Sequence, residues 1–162
     1  MKQAPRERPD ARGLRIAVLR ASFNGAVVDG LLAGAQAALR EAGGRSIEVL
    51  EVPGAFELPL AARAAARSGR FDGVVALGAV VRGETDHYDH IARETAAGLS
   101  AVARETGVPV GFGVLTCRDM VQAAARSAPG PDNKGAEAAR AVVAMVHLLR
   151  RLRRRRSRVR RG

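Results

Sequence analysis

The chain reads as an α/β domain: a three-layer α/β/α sandwich with a central four-stranded parallel sheet. Three observations lead there. Four short runs of Val, Leu, Ile and Ala are apolar throughout rather than alternating, the pattern of strands buried on both faces. Stretches with apolar residues at helical spacing lie between them, so strand and helix alternate. Each run ends abruptly in a polar or Gly/Pro-containing segment, and in a parallel sheet such segments gather at one edge, where ligands bind.

Taken in order, residues 1–13 hold Pro5 and Pro9 among charged side chains and read as an extended or mobile arm. Leu14 to Leu19 is the first strand. Leu31, Leu32, Ala35, Ala38 and Leu39 give a helix over Asp29 to Ala42, stopped by Gly43-Gly44. Ile47 to Val52 is the second strand, closed by Pro53-Gly54. An Ala-rich helix follows over Glu57 to Ser68, with Pro59 tolerated in its first turn. Phe71 to Val81 is the third strand, Ile91 to Thr106 the third helix, and Val108 to Leu115 the fourth strand. Asp119 to Arg126 is a short helix broken by Ala-Pro-Gly-Pro at 128–131. The last helix runs from Asn133 to about Leu152, and residues 151–162 read as a disordered or frayed Arg-rich tail. No repeat or linker divides residues 14–150, which form one domain.

The formal net charge of +11 belongs to the ends. Residues 13–149 carry 14 positive and 14 negative charges, whereas the segment from Arg150 to Gly162 carries nine Arg and no acid. A neutral body with no Trp, one Tyr and four Phe offers no base-stacking platform, which argues against nucleic-acid recognition as the main function. No apolar stretch reaches membrane-spanning length and no signal-peptide pattern opens the chain, so a cytoplasmic location is expected. One cysteine, Cys117, excludes an intramolecular disulfide and reads as an inert, partly buried thiol.

The richest segment is Gly78-Ala-Val-Val-Arg-Gly-Glu-Thr-Asp-His-Tyr-Asp89. An apolar strand delivers a loop dense in groups that handle protons or anions, and within it His87 is of the side-chain type that changes charge near neutral pH. Gly83-Glu84-Thr85 combines a flexible backbone with a hydroxyl suited to an anionic oxygen. Phe23, where the first strand leaves the core, is either a staple over the next helix or a face for a flat heterocycle. Ala55-Phe56-Glu57 follows a tight turn. Glu57 either complements the helix dipole or accepts hydrogen bonds from sugar-like hydroxyls. Arg126 and Lys134 flank the Pro/Gly turn and are either solvated cations or partners for an anion. His90 and His147 are lesser candidates. Asp86, His87, Asp89 and His90 are consecutive loop residues with no distant fourth ligand, so no metal site is expected.

Together these segments resemble the lumazine synthase family over roughly residues 14–150. Phe23-Asn24, Val52-Pro-Gly-Ala-Phe-Glu57-Leu-Pro, the 78–89 segment, Phe112-Gly-Val-Leu-Thr116, Arg126 and Asn133-Lys-Gly135 carry the likeness. The resemblance implies a flavodoxin-like fold and a transferase of riboflavin biosynthesis, which needs neither cofactor nor metal. Its substrates are 5-amino-6-(D-ribitylamino)uracil and 3,4-dihydroxy-2-butanone 4-phosphate.

By the same resemblance Phe23 stacks on the pyrimidine, Ala55, Phe56 and Glu57 hold the ribityl chain, and the Ala79-Val80-Val81 backbone reads the uracil edge. Glu84, Thr85 and Arg126 bind the phosphate with Lys134 nearby, and His87 relays protons. Phe112 lies inside a strand, away from the shared edge, and the resemblance assigns it to the site of an adjacent subunit. A homo-oligomer with shared sites follows, built on pentamers that some members close into a hollow icosahedral 60-mer. Riboflavin synthase is the implied partner.

Two features depart from the family pattern, the loop Ser127-Ala-Pro-Gly-Pro-Asp132 and the Arg-rich tail. The tail is expected to bind polyanions non-specifically and to be dispensable for catalysis. A non-catalytic flavin or lumazine binder is the rival reading, and it has no need for His87, Arg126 and Lys134 together.

Overall fold

The computed structural model describes residues 9–159, with side chains as far as Arg154. The elements run β1 (Arg15–Ala21), α1 (Gly25–Glu41), β2 (Ser46–Val52), α2 (Leu58–Arg67), β3 (Gly73–Val81), α3 (His87–Thr106), β4 (Val110–Cys117), α4 (Met120–Ser127) and α5 (Lys134–Val159). A single 3₁₀ turn, Ala55–Glu57, leads into α2. The four strands form one parallel sheet in the order β2-β1-β3-β4.

The continuous apolar runs explain the layering. Ile16, Val18, Val75, Leu77 and Leu115 face a core completed by α1, α4 and α5. Ala17, Leu19, Ala21, Val74, Ala76 and Val114 face a second core under α2 and α3. Small residues let the helices come close. A Cβ on Gly135 would stand 2.0 Å from the Leu31 carbonyl oxygen, so α5 crosses α1 at a distance only glycine permits. No helix among the described residues is long and apolar enough to cross a membrane.

Strand order was beyond the sequence pattern, and it locates the crevice. From β1 the chain moves outward to β2, then returns past β1 to β3. The segments leaving β1 and β3 therefore diverge, and the gap between such carboxyl ends is where open α/β sheets take ligands.

Several boundaries differ from expectation. Helix α1 begins at Gly25 rather than Asp29, and α3 at His87 rather than Ile91. Strand β4 is displaced to Val110–Cys117. Residues 1–8 of the expected arm lie outside the described residues. Beyond them Ala11 is fully buried and donates its N–H to the Ala42 carbonyl at 2.8 Å. His147 donates from Nε2 to the Asp10 carbonyl, so the segment is docked along α5. Helix α5 continues to Val159 instead of stopping near Leu152. Arg is a good helix former, and two arginines tie the helix down. Arg150 donates to Asp72 Oδ1 at 3.1 Å, and Arg153 to the Gly107 carbonyl at 3.3 Å.

Candidate active site

The turn after β1 is sewn to the end of β2. Ser22 and Phe23 donate their N–H groups to the carbonyls of Val52 and Pro53 at 2.9 and 3.2 Å. That fixes the backbone of Phe23 while its ring stands 73% exposed. Asn24 follows with φ 56° and ψ 43°, and among the described residues no other non-glycine has a positive φ. Asn is the ordinary residue that tolerates this left-handed conformation. Its amide does not cap α1; Nδ2 donates instead to the Ala79 carbonyl at 2.8 Å.

That bond acts where the sheet opens. Strand β1 leaves β3 after the Arg20–Leu77 pair, whereas β3 stays paired to β4 as far as Val81–Cys117. Successive strand residues present their main-chain groups to opposite neighbours. Arg82 N–H bonds the Cys117 carbonyl, which puts the even-numbered residues on the β4 side. Ala79 and Val81 thus turn their peptide groups toward the side β1 has left. Asn24 takes one of those groups, and Val81 faces no strand there.

The opposite wall is the turn Pro53–Glu57. Thr95 of α3, fully buried, donates its hydroxyl to the Ala55 carbonyl at 3.1 Å, so α3 holds the turn from beneath. His87 opens α3, and the Asp86 carbonyl accepts the N–H groups of Asp89 at 3.0 Å and His90 at 3.4 Å. The segment read as a loop through Asp89 is helical from His87, because its polar residues conceal a first turn without a side-chain cap.

These parts enclose an open cavity of about 540 Å³. Its walls are Phe23, Asn24, Pro53–Glu57, Ala79–Val81, Gly83, Thr85, His87, Tyr88 and Ile91. Of the expected site residues, Phe23, Ala55, Phe56, Glu57, Ala79, Val80, Val81, Thr85 and His87 therefore converge. Asn24, Tyr88 and Ile91 had no assigned place in the wall. The signal for the last two was helical spacing: once α3 starts at His87, Tyr88 and Ile91 share its inward side.

Four expected residues do not line this cavity. Glu84 is exposed in the loop before α3. Arg126, exposed near the end of α4, donates to the Gln122 carbonyl at 3.2 Å, and Lys134 is ion-paired with Glu137. The junction between them is rigid. Asn133, 2% exposed, donates from Nδ2 to the carbonyls of Gly30, Ser127 and Ala128, while its Oδ1 accepts the Ala136 N–H at 3.0 Å. Phe112, 48% exposed on edge strand β4, pairs with Ala76. That is three residues before Ala79, roughly 10 Å at ~3.3 Å per strand residue.

Burial pushes the Cys117 thiol above its ordinary pKa, against the opposing charge of nearby Arg126. A buried thiol held protonated is a poor nucleophile. No group of three or more His, Cys, Asp or Glu side chains suited to a metal ion comes together among the described residues.

The fold and cavity define an α/β protein whose sheet opens at its carboxyl edge on an aromatic-flanked crevice, with a strand end to read a planar ligand and an imidazole at the rim. The chain belongs to the 6,7-dimethyl-8-ribityllumazine synthase family, whose model matches residues 13–150. It is 45% identical over 136 residues to the 6,7-dimethyl-8-ribityllumazine synthase of Nitratidesulfovibrio vulgaris strain DP4, covering 83% of this chain and 87% of that protein. The proteins of the same name from N. vulgaris strain DSM 19637 / Miyazaki F and Desulfovibrio desulfuricans strain ATCC 27774 / DSM 6949 / MB are 44% and 42% identical, with the same coverage of both chains.

Proposed function

We infer that this chain condenses 5-amino-6-(D-ribitylamino)uracil with 3,4-dihydroxy-2-butanone 4-phosphate to 6,7-dimethyl-8-ribityllumazine, releasing inorganic phosphate and water. The observation that carries this reading is the cavity walled by Phe23, the Ala55–Glu57 turn, the end of β3 and His87. Phe23 covers one face of the pyrimidine. The Ala79–Val81 backbone reads its edge, an edge-on recognition that needs the strand end uncovered by β1. Ala55, Phe56 and Glu57 receive the ribityl chain, with the Glu57 carboxylate accepting from its hydroxyls.

The chemistry sets the other roles. The amine attacks the ketone and water leaves to form an imine; phosphate is then eliminated, and the ring closes with loss of a second water. Each step moves a proton, and His87 at the rim is the group suited to carry it. The phosphate is both handle and leaving group, so cations that hold it also stabilise the departing charge. Glu84 and Thr85, before the N-terminus of α3, and Arg126 with Lys134 supply that end. A helix N-terminus favours an anion there. Orientation of two reactants that are already mutually reactive supplies much of the acceleration.

Phe112 completes the site of an adjacent subunit in a homo-oligomer. Its exposure on an edge strand, with Met120 and Val121 also exposed on α4, supports that reading. Riboflavin synthase, which consumes the product, is the expected protein partner, and the cytoplasm the expected location.

The experiment is to mix both substrates with purified protein and follow phosphate release together with product absorbance. Stoichiometric phosphate and product are expected. Tight binding of the product without turnover would instead establish a non-catalytic binder.

A further inference from the structure

We propose that the C-terminal end of α5 is a nucleic-acid-binding surface, set on the opposite end of the molecule from the candidate active site and able to hold a polyanion while the site turns over. The placement follows from two anchors. Arg150 bonds Asp72, which precedes β3, and Arg153 bonds the carbonyl of Gly107, which closes α3 ahead of β4. Both anchors stand at the amino ends of strands, whereas the cavity lies at the carboxyl ends. Along the nine residues of β3 that separation is roughly 30 Å. From Arg153 the helical backbone continues to Val159, roughly 9 Å farther at ~1.5 Å per residue. The basic segment is carried away from the site rather than across it.

Its chemistry selects the partner. Nine Arg and no acidic residue lie between 150 and 162, against a body in which positive and negative charges balance. Arg150 and Arg153 serve as anchors, and Arg155, Arg156, Arg158, Arg160 and Arg161 follow in the sequence. Leu152 and Val159 are the apolar side chains of the segment. A helix that lies on a membrane needs a continuous apolar face, and a protein interface needs buried aromatic or aliphatic anchors. This segment has neither. Closely spaced guanidinium groups suit the regular phosphates of a nucleic acid, which they contact bidentately. With no aromatic residue in the segment to stack on bases, binding is independent of sequence.

The test measures fluorescence anisotropy of a labelled 20-nucleotide RNA of mixed sequence, using the full-length protein, a chain ending at Arg150, and a full-length variant with Arg155→Gln, Arg156→Gln, Arg158→Gln, Arg160→Gln and Arg161→Gln. The Gln variant keeps the length, the anchors and good helix formers. The full-length protein should bind, and its affinity should fall by about 100-fold between 50 and 200 mM salt, the slope for about five neutralised phosphates on a single strand. Both altered proteins should lose that binding while retaining turnover with both substrates. Undiminished binding by the Gln variant, affinity indifferent to salt, or stronger capture by phosphatidylserine vesicles than by RNA would each overturn the proposal. So would turnover inhibited by saturating RNA, since it would place the two surfaces together. Turnover is scored separately, so its absence in every protein would count against the enzymatic reading and not against this one.

Discussion

On the β1–β3 side of the carboxyl edge, main-chain groups from distant segments are bonded to one another. Ser22 is tied to Val52, Phe23 to Pro53, Asn24 to Ala79 and Thr95 to Ala55. On the β4 side the groups proposed for the phosphate are the ends of long side chains. Arg126 bonds its own helix and Lys134 is held by Glu137, although Asn133 fixes the backbone between them. One half is shaped before any ligand arrives; the other has charge in place and geometry still to be made. A planar ring must be recognised by position, which demands rigidity. A phosphate carries enough charge to draw flexible cations to itself.

The largest expected effect lies at the seam between the halves. His87→Ala should lower kcat by about 10- to 10³-fold while KM for each substrate stays within a few fold, the usual range for a lost proton relay. Steady-state kinetics check this, and an unchanged kcat would remove His87 from the mechanism.

Next comes the rigid half. Asn24→Ala loses both the bond to Ala79 and a residue at ease with φ 56°, so stability should fall by about 1–3 kcal/mol. The kcat/KM for the pyrimidine should fall by about tenfold or more. Asn24→Gly frees the backbone but not the bond, so it should recover stability in urea titrations without recovering pyrimidine affinity. Recovery of both would reduce Asn24 to a turn residue.

In the flexible half, Arg126→Lys keeps the charge and loses the fork. It should raise KM for the phosphorylated ketone by about tenfold, on the scale of one charged hydrogen bond, and leave the pyrimidine's nearly unchanged. Equal changes for both substrates would erase the contrast.

Thr95→Val removes one buried hydroxyl bond at similar volume and should cost about 0.5–1.5 kcal/mol, read from the urea midpoint, with a modest loss of pyrimidine binding.

The smallest effect is a control at the amino edge. Burial raises the pKa of the Asp72 carboxyl, but the side-chain and backbone hydrogen bonds of Arg15 and the charge of Arg150 outweigh it and leave the group below its ordinary value. A carboxyl depressed in the folded state stabilises above the unfolded pKa, and that contribution is lost as pH falls through the folded value. Asp72→Asn should therefore be less stable than the parent at neutral pH, with the gap closing below about pH 4 and ketone KM unaffected.

Much of this was legible in the sequence. Strands buried on both faces announce themselves as unbroken apolar runs, and three of the four site segments sit directly after such runs. The errors arose where side chains had other work. Asn24 would have marked the start of α1 had its amide capped the helix, but the amide crosses to Ala79. Asp86 likewise begins α3 without a side-chain cap, which hid the turn carrying His87, Tyr88 and Ile91. Helix α5 overran its expected end because anchoring by Asp72 and Gly107 depends on strands remote in sequence. Sheet order, which creates the crevice, leaves no mark in local periodicity.

The scarcity of aromatic residues gives the wall of the cavity a voice of its own. The chain has no Trp and one Tyr, and that residue is Tyr88. Tyrosine emission from the unlabelled protein therefore originates at the crevice and nowhere else. Any heterocycle that settles against Tyr88 and absorbs in the near ultraviolet will quench it, so occupancy, exchange rate and local opening can be timed optically without attaching a dye.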